Sequence, residues 1–246
     1  MLNIKQLPVT IEGIDTYSED LKVFRFKLPP GGELSFAPGQ FVMLSLPGLV
    51  DSNGRKIAKA YSIASSPLQQ GIIELCIVHY PNGTLSAPLF KLKAGDEAII
   101  TGPYGMFQMK PPIQKGTVFI AGGTGISPLM SMLRSSYTDS SKEKLWLFYS
   151  VSEPGKILFK EELLGYQKNN GLQLVVSTSN SDPDWEGDKG RATDTFPKHL
   201  PRLQQDGVKS EERQFYVCGP PVMVTDTIKM LEQLGFRKEN IHKEQW

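Results

Sequence analysis

Cysteine is almost missing from this chain: 246 residues hold two, Cys76 and Cys218, far apart in sequence and each inside an apolar, strand-like run. No disulfide framework is expected, a reducing compartment fits, and a four-cysteine iron–sulfur site within the chain is excluded. No apolar stretch approaches the roughly 18 residues that span a bilayer. Met1-Leu2-Asn3-Ile4-Lys5 has no basic segment followed by an apolar one, so no secretory signal is expected and a cytoplasmic protein is. Charge of one sign is not in excess either. Lys and Arg total 27 against 26 for Asp and Glu, without a like-charged run, which argues against a nucleic-acid partner. Internal repeats and low-complexity tracts are lacking, and no metal-ligand set is expected.

What is present has two rhythms, and the length suits two domains of roughly 100–150 residues. In the first part, Phe24, Phe26 and Leu28 alternate with Arg25 and Lys27, and residues 41–46, 72–78 and 97–101 are further strand candidates. Turn formers separate them, among them Pro29-Pro30-Gly31-Gly32, Pro38-Gly39 and Pro81-Asn82-Gly83. That spacing predicts an all-β barrel or sandwich. After Pro111-Pro112 the pattern changes. Residues 117–121, 145–150, 172–177, 214–218 and 241–244 read as strands, and residues 128–136, 158–168 and 222–234 as helices. Apolar strands alternating with helices predict a parallel sheet covered on both faces. We place the boundary at Pro111-Pro112, giving domains 1–112 and 113–246.

Several short segments carry chemical potential. Gly122-Gly123-Thr124-Gly125-Ile126-Ser127-Pro128 follows the first parallel strand and opens a helix, with Ser127 suited to the N-cap and Pro128 to the first helical position. Glycines let backbone approach a pyrophosphate, and a helix start offers unpaired N–H groups. A tight strand-to-helix turn uses the same residues, and Pro128 stands where the dinucleotide fingerprint has its third glycine. Val217-Cys218-Gly219-Pro220-Pro221 ends the fourth parallel strand, at the sheet edge where ligands bind. The commoner fate of such a cysteine is a small buried hydrophobe. In the β half, Lys59-Ala60-Tyr61-Ser62 is a strand leading into a turn, and Gly83-Thr84-Leu85-Ser86 is a glycine turn with hydroxyls that suit phosphate.

The order of these motifs resembles the ferredoxin–NADP⁺ reductase superfamily from about Phe24 to Trp246. The resemblance implies an N-terminal antiparallel six-stranded Greek-key-type β-barrel that binds FAD and a C-terminal Rossmann-like α/β domain, with a parallel five-stranded sheet, that binds NAD(P). Lys59-Ala60-Tyr61-Ser62 is similar to the family's Arg-x-Tyr-Ser flavin motif. Pro38-Gly39-Gln40-Phe41 resembles the strand entry before it, Cys76-Ile77-Val78 the strand whose backbone contacts the isoalloxazine, and Thr101-Gly102-Pro103-Tyr104-Gly105 the barrel exit. Gly83, Thr84, Leu85 and Ser86 match the pyrophosphate segment. Gly123, Thr124 and Gly125, together with Cys218, Gly219, Pro220 and the nearby Met223, match the nicotinamide-dinucleotide motifs. Glu244 and Trp246 resemble an acid and an aromatic at the chain end. By this resemblance Tyr61 stacks on the flavin, Ser62 hydrogen-bonds near N5, Cys218 lies near nicotinamide C4, and Trp246 covers the other flavin face. Ser62, Cys218 and Glu244 are the implied catalytic residues.

Two departures bear on affinity and selectivity. Lys59 replaces the family's arginine and offers a point charge rather than a fork, with Arg55 a possible helper. After the third parallel strand the chain reads Ser177-Thr178-Ser179-Asn180, without the Ser-Arg that often holds a 2′-phosphate. Arg191 matches a position some members use for that phosphate, and equally reads as a solvated surface charge. NADH and NADPH therefore both stay open, with a lean to NADH. The resemblance implies hydride transfer between nicotinamide and flavin, then electrons to a separate acceptor such as a ferredoxin, a flavodoxin or an oxygenase component. A reductase of free flavin, iron or quinone, or a flavin-binding subunit of a larger redox complex, are the alternatives.

Overall fold

The computed structural model describes residues 4–109, 113–137, 144–180 and 183–245. Pro111-Pro112 and Trp246 lie outside the described residues. The chain divides into two compact units, residues 1–109 with 130–135 and residues 110–129 with 136–246.

The first unit is a curled antiparallel sheet of six strands: β1 (Lys5–Ser18), β2 (Leu21–Lys27), β3 (Phe41–Val50), β4 (Lys56–Ser62), β5 (Ile72–Val78) and β6 (Glu97–Tyr104), in the order β4-β3-β6-β1-β2-β5. A short helix, α1 (Ser86–Leu89), precedes β6. Alternating residues of β1, β2, β3, β5 and β6 point inward: Val9 and Ile11, Phe24 and Phe26, Val42 and Leu44, Ile73, Leu75 and Ile77, and Ala98 and Ile100 are all buried in one core, with Ile57 and Tyr61 of β4 packed against it. Burying one such side chain is worth about 1.5–3 kcal/mol. β1, the longest strand, is not among the strands expected from the sequence, because Pro8, Gly13 and two acids interrupt its apolar rhythm. Pro8 is tolerated because β1 pairs only with β6 at that point; its pairing with β2 begins at Thr10.

The second unit holds a parallel sheet of β7 (Val118–Gly122), β8 (Trp146–Val151), β9 (Gln173–Thr178), β10 (Asp188–Lys189), β11 (Phe215–Gly219) and β12 (Ile241–Gln245), in the order β10-β9-β8-β7-β11-β12. The expected count of five is corrected to six: the two-residue β10 pairs with Ser177 and Thr178 of β9 and is too short to leave a hydrophobic pattern. The helices are α2 (Ile126–Ser136), α3 (Lys160–Asn170), α4 (Ala192–Gln204) and α5 (Pro221–Gln233). Phe196 and Leu203 of α4 and Val224 and Leu231 of α5 pack on Val118, Ile120, Phe148, Phe215 and Val217 of the sheet. Helix α4 contains Pro197 and Pro201. Its prolines hide it from a propensity reading, and its buried Phe196 and Leu203 hold it in place. Ser127 is not an N-cap. It lies inside α2, and its hydroxyl donates to the Thr124 carbonyl at 2.8 Å.

Arg213 is completely buried between α4 and β11, donating to both Asp206 oxygens at 2.5 and 2.9 Å and to the Leu203 carbonyl at 2.8 Å. Burial opposes ionisation of Asp206, but the hydrogen bonds from Arg213 and the Val208 amide, with the charge of Arg213, outweigh it and hold the carboxyl below its ordinary value. A depressed carboxyl contributes stability that is complete above the unfolded-state pKa and lost as pH falls through the folded one. Asp206→Asn is therefore expected to lower the unfolding free energy by about 2 kcal/mol at pH 7 and by progressively less in acid. Denaturant midpoints across that range measure it, and a pH-independent difference would contradict the assignment.

Candidate functional site

The carboxyl edge of the parallel sheet is built around its switch point. From β7 the order runs through β8, β9 and β10 on one side and through β11 and β12 on the other. The crevice outside β7 and β11 is where an open α/β sheet binds ligand. β7 ends in Gly122 and β11 in Gly219. Backbone crowding explains the glycines: a Cβ on Gly125 would fall 2.2 Å from the Cys218 carbonyl oxygen, and one on Gly219 would meet the Met223 sulfur at 2.9 Å and the Gly122 Cα at 3.2 Å. The two glycine-bearing motifs, about ninety residues apart in sequence, are thus brought together, with Met223 lying over both.

Gly123 is different. Its φ of +54° demands glycine, yet nothing lies within 4 Å of where its Cβ would stand. This is an open cradle directly before helix α2, suited to close approach by a phosphate. Gly123 and Thr124 are half-buried and Pro220 is exposed.

Cys218 is fully buried. It pairs with Ala121 of β7 on one side and Glu244 of β12 on the other. Burial pushes its thiol well above the ordinary range, and the nearby Glu244 charge adds to the effect against an opposing hydrogen bond at the Gly219 backbone. The thiol is therefore neutral at physiological pH, which removes it as a nucleophile. Glu244 is half-buried.

At the other end of the sheet, Ser177 and Thr178 are buried at the tip of β9. The Ser177 hydroxyl shares a 2.7 Å hydrogen bond with that of Ser150. The Thr178 hydroxyl has no hydrogen-bond partner among the described residues. Gly190 donates to the Thr178 carbonyl at 2.9 Å, which brings the exposed Arg191 beside the strand tip. The Arg191 amide in turn donates to Asp194 at 2.8 Å and starts α4.

In the first unit, β4 and β5 are the two ends of the sheet order, and Ile63 bridges Leu75 between them. Counting back antiparallel from that bridge would set Ser62 against Cys76, Tyr61 against Ile77 and Ala60 against Val78. No strand pairing is assigned between them there among the described residues, so the facing edges form a seam in the sheet. Lys59 and Tyr61, two residues apart, share one side of β4. Lys59 and Ala60 are exposed, and Tyr61 and Ser62 half-buried. Burial, with a smaller contribution from Tyr80, pushes the Tyr61 phenol up to about 12, so it presents a neutral ring. Cys76 and Ile77 are buried and Val78 half-buried. An aromatic face, a hydroxyl, two backbone edges and an ammonium form a donor set that fits a flat, phosphate-bearing cofactor.

Tyr80 to Ser86 form a closed turn. The Ser86 hydroxyl accepts from the Tyr80 amide at 3.1 Å and donates to the Tyr80 carbonyl at 3.3 Å. A Cβ on Gly83 would fall 2.2 Å from that hydroxyl. Leu85 belongs to the core, whereas Thr84 is exposed.

Two family models match, the oxidoreductase FAD-binding domain over residues 8–109 and the oxidoreductase NAD-binding domain over residues 119–229. An NADH-cytochrome b5 reductase 1 of Aspergillus terreus is 32% identical over 232 residues, covering 90% of this chain and 75% of the relative. The chain belongs to the ferredoxin–NADP⁺ reductase superfamily. A component of the Na⁺-translocating NADH-quinone reductase of Idiomarina loihiensis is 28% identical, covering 98% of this chain and 67% of that relative. Among solved structures, an Amycolatopsis cytochrome P450 reductase has a TM-score of 0.84 at 25% identity, covering 100% of this chain and 71% of the other. The ferredoxin NADP⁺ reductase of Neisseria gonorrhoeae shares the fold at a TM-score of 0.80 and 24% identity, with 98% of each chain covered. This superfamily member is a flavoprotein oxidoreductase that binds FAD and a nicotinamide dinucleotide.

Sequence reasoning did not find the Glu74–Arg134 ion pair beside the seam, because its partners are 60 residues apart and no local pattern links them.

Proposed function

We propose that this reductase oxidises NADH or NADPH and passes the electrons to a separate acceptor protein, such as a ferredoxin, a flavodoxin or an oxygenase component. The observation that carries the reading is the presence in one chain of a glycine-lined switch point in the parallel sheet and a β-sheet unit matched by the FAD-binding family model. When bound, FAD supplies a ring that takes hydride and hands electrons on. Residues 1–112 hold it in this reading and residues 113–246 hold the dinucleotide. Tyr61 offers its neutral ring to the flavin, worth about 0.5–1.5 kcal/mol beyond burial. Ser62 presents a hydroxyl near N5, and the backbone of Cys76, Ile77 and Val78 lines the opposite edge. Lys59, with the turn at Gly83, Thr84, Leu85 and Ser86, faces the pyrophosphate. Gly123, Thr124 and Gly125 receive the dinucleotide phosphates, with Gly219, Pro220 and Met223 beside them. Ser177, Thr178 and Arg191 take the adenosine end. Cys218 aligns the nicotinamide by shape, Glu244 places a carboxylate next to it, and Trp246 is assigned to the second flavin face. The related proteins are named for different acceptors, cytochrome b5, quinone and cytochrome P450, so the acceptor is set outside the shared core. Two cysteines far apart in sequence, with no disulfide framework, fit a reducing compartment, and we place the protein in the cytoplasm in this reading.

The test is direct. The purified protein is expected to be yellow, to release FAD on heating, and to lose its flavin absorbance within one turnover on mixing with NADH, faster than with NADPH. FMN as the sole released cofactor, or a flavin band that neither nicotinamide bleaches, would overturn the reading.

A further inference from the structure

We infer that the Arg134–Glu74 ion pair is a positioning device for the flavin-site serine, setting the segment that follows Ser62. The inference rests on the reading that Ser62 meets the flavin. Arg134 clusters with the barrel unit. One of its guanidinium nitrogens, Nη1, donates both to the Ala64 carbonyl at 2.9 Å and to the Glu74 carboxylate. The two side chains are only 13% and 11% exposed. Burying such a pair carries a desolvation cost that its attraction scarcely recovers, so stability alone does not account for it.

Its location supplies the missing account. Ala64 continues β4, and Glu74 lies on β5. The same two residues are joined by the Ala64 amide, which donates to the Glu74 carbonyl at 2.8 Å. Ser65 adds a hydroxyl that accepts from the Glu74 amide at 3.2 Å, and the Ile63 amide donates to Gln40 at 3.0 Å. Arg134 therefore grips both sides of the Ile63–Leu75 bridge that closes the seam, one residue beyond it. Two residues back along the chain stands Ser62. An apolar pair would fill the same space, but it would leave the Ala64 carbonyl without this donor and the register of residues 63–65 less firmly held.

The test uses FAD-loaded protein carrying Glu74→Met together with Arg134→Met, with Arg134→Lys as the second variant. The double variant is expected to melt close to the parent, because an apolar pair replaces a buried ionic one. Its flavin is expected to show an altered visible circular dichroism and weaker retention. Its single-turnover reduction should fall about 10- to 100-fold, the scale of a misplacement near 1 Å. Arg134→Lys, which keeps the charge but not the fork, should fall between, and it serves if the double variant does not fold. Ser62→Ala is then added to each background. It should slow reduction strongly in the parent and much less in the double variant, since a displaced hydroxyl has less to lose. Parental flavin dichroism and rate in the variants, or full additivity with Ser62→Ala, would overturn the inference alone. If Ser62→Ala leaves the parent unchanged in rate and spectrum, the flavin-site reading of Ser62 falls, and this inference with it.

Discussion

Gly125→Val is expected to abolish nicotinamide dinucleotide binding while leaving the FAD content at the parental level. The obstacle is backbone rather than a yielding side chain: a Cβ at Gly125 would lie 2.2 Å from the Cys218 oxygen, 2.5 Å from its carbonyl carbon and 2.8 Å from the Gly219 nitrogen. Neither party can rotate away, so the ends of β7 and β11 must separate. Forcing extra atoms into a packed site costs about 1–3 kcal/mol, and here the displacement falls on the crevice itself. Valine brings two further methyl groups into the same space. FAD is held by the other unit, so the protein should stay yellow. Titration of the oxidised protein with NAD⁺, followed by flavin difference spectra, measures the effect beside the FAD-to-protein ratio. Parental affinity would show that the crevice between these strand ends is not the dinucleotide site.

Cys218→Ala is expected to slow flavin reduction about 100-fold, the usual scale when reacting atoms are misplaced by about 1 Å, with FAD content intact. The thiol is neutral, raised by burial and by the neighbouring Glu244 charge, so no nucleophilic chemistry is lost with it. What is lost is a sulfur-sized volume packed behind the end of β11, on which the placement of the strand end depends. The same reasoning predicts no thiol ionisation in the rate profile of the parent between pH 7 and about 8.5, where an ordinary cysteine titrates. Stopped-flow reduction under single-turnover conditions checks both points. An unchanged rate in the alanine variant would return Cys218 to the role of core packing, and a rate that follows thiolate formation near pH 8.5 would refute the alignment role.

Much of the architecture is legible in the sequence. The five longer parallel strands and three of the helices follow from apolar rhythm, with ends within about two residues, because a covered parallel sheet needs continuous apolar runs and its helices begin and end at strong local signals. The unread parts have identifiable causes. β1 has a proline and a glycine that local rules assign to turns, and only its partners β6 and β2 make it a strand. Helix α4 carries two prolines and is sustained by Phe196 packing against Phe148 and Phe215. β10 is too short for any periodicity. At the site, the glycine motifs are visible as motifs, but the reason for Gly125 is not. Its constraint comes from the Cys218 carbonyl, which approaches from another strand. The Arg134–Glu74 pair is likewise a product of tertiary assembly.

The parting of β4 from β5 has a consequence for how the protein keeps to itself. A strand with an unused row of amides and carbonyls is a template on which any passing extended chain can add, including another copy of the same strand. β4 carries Lys56 and Lys59 exposed along its length, with Arg55 just before it. Cations spaced in this way make stacking of two such edges repulsive. Lys59 thus guards this edge against self-association, and in the proposed reading the flavin would lie along the same edge. If the flavin lies there as proposed, loading with it and resistance to aggregation are two outcomes of covering one edge.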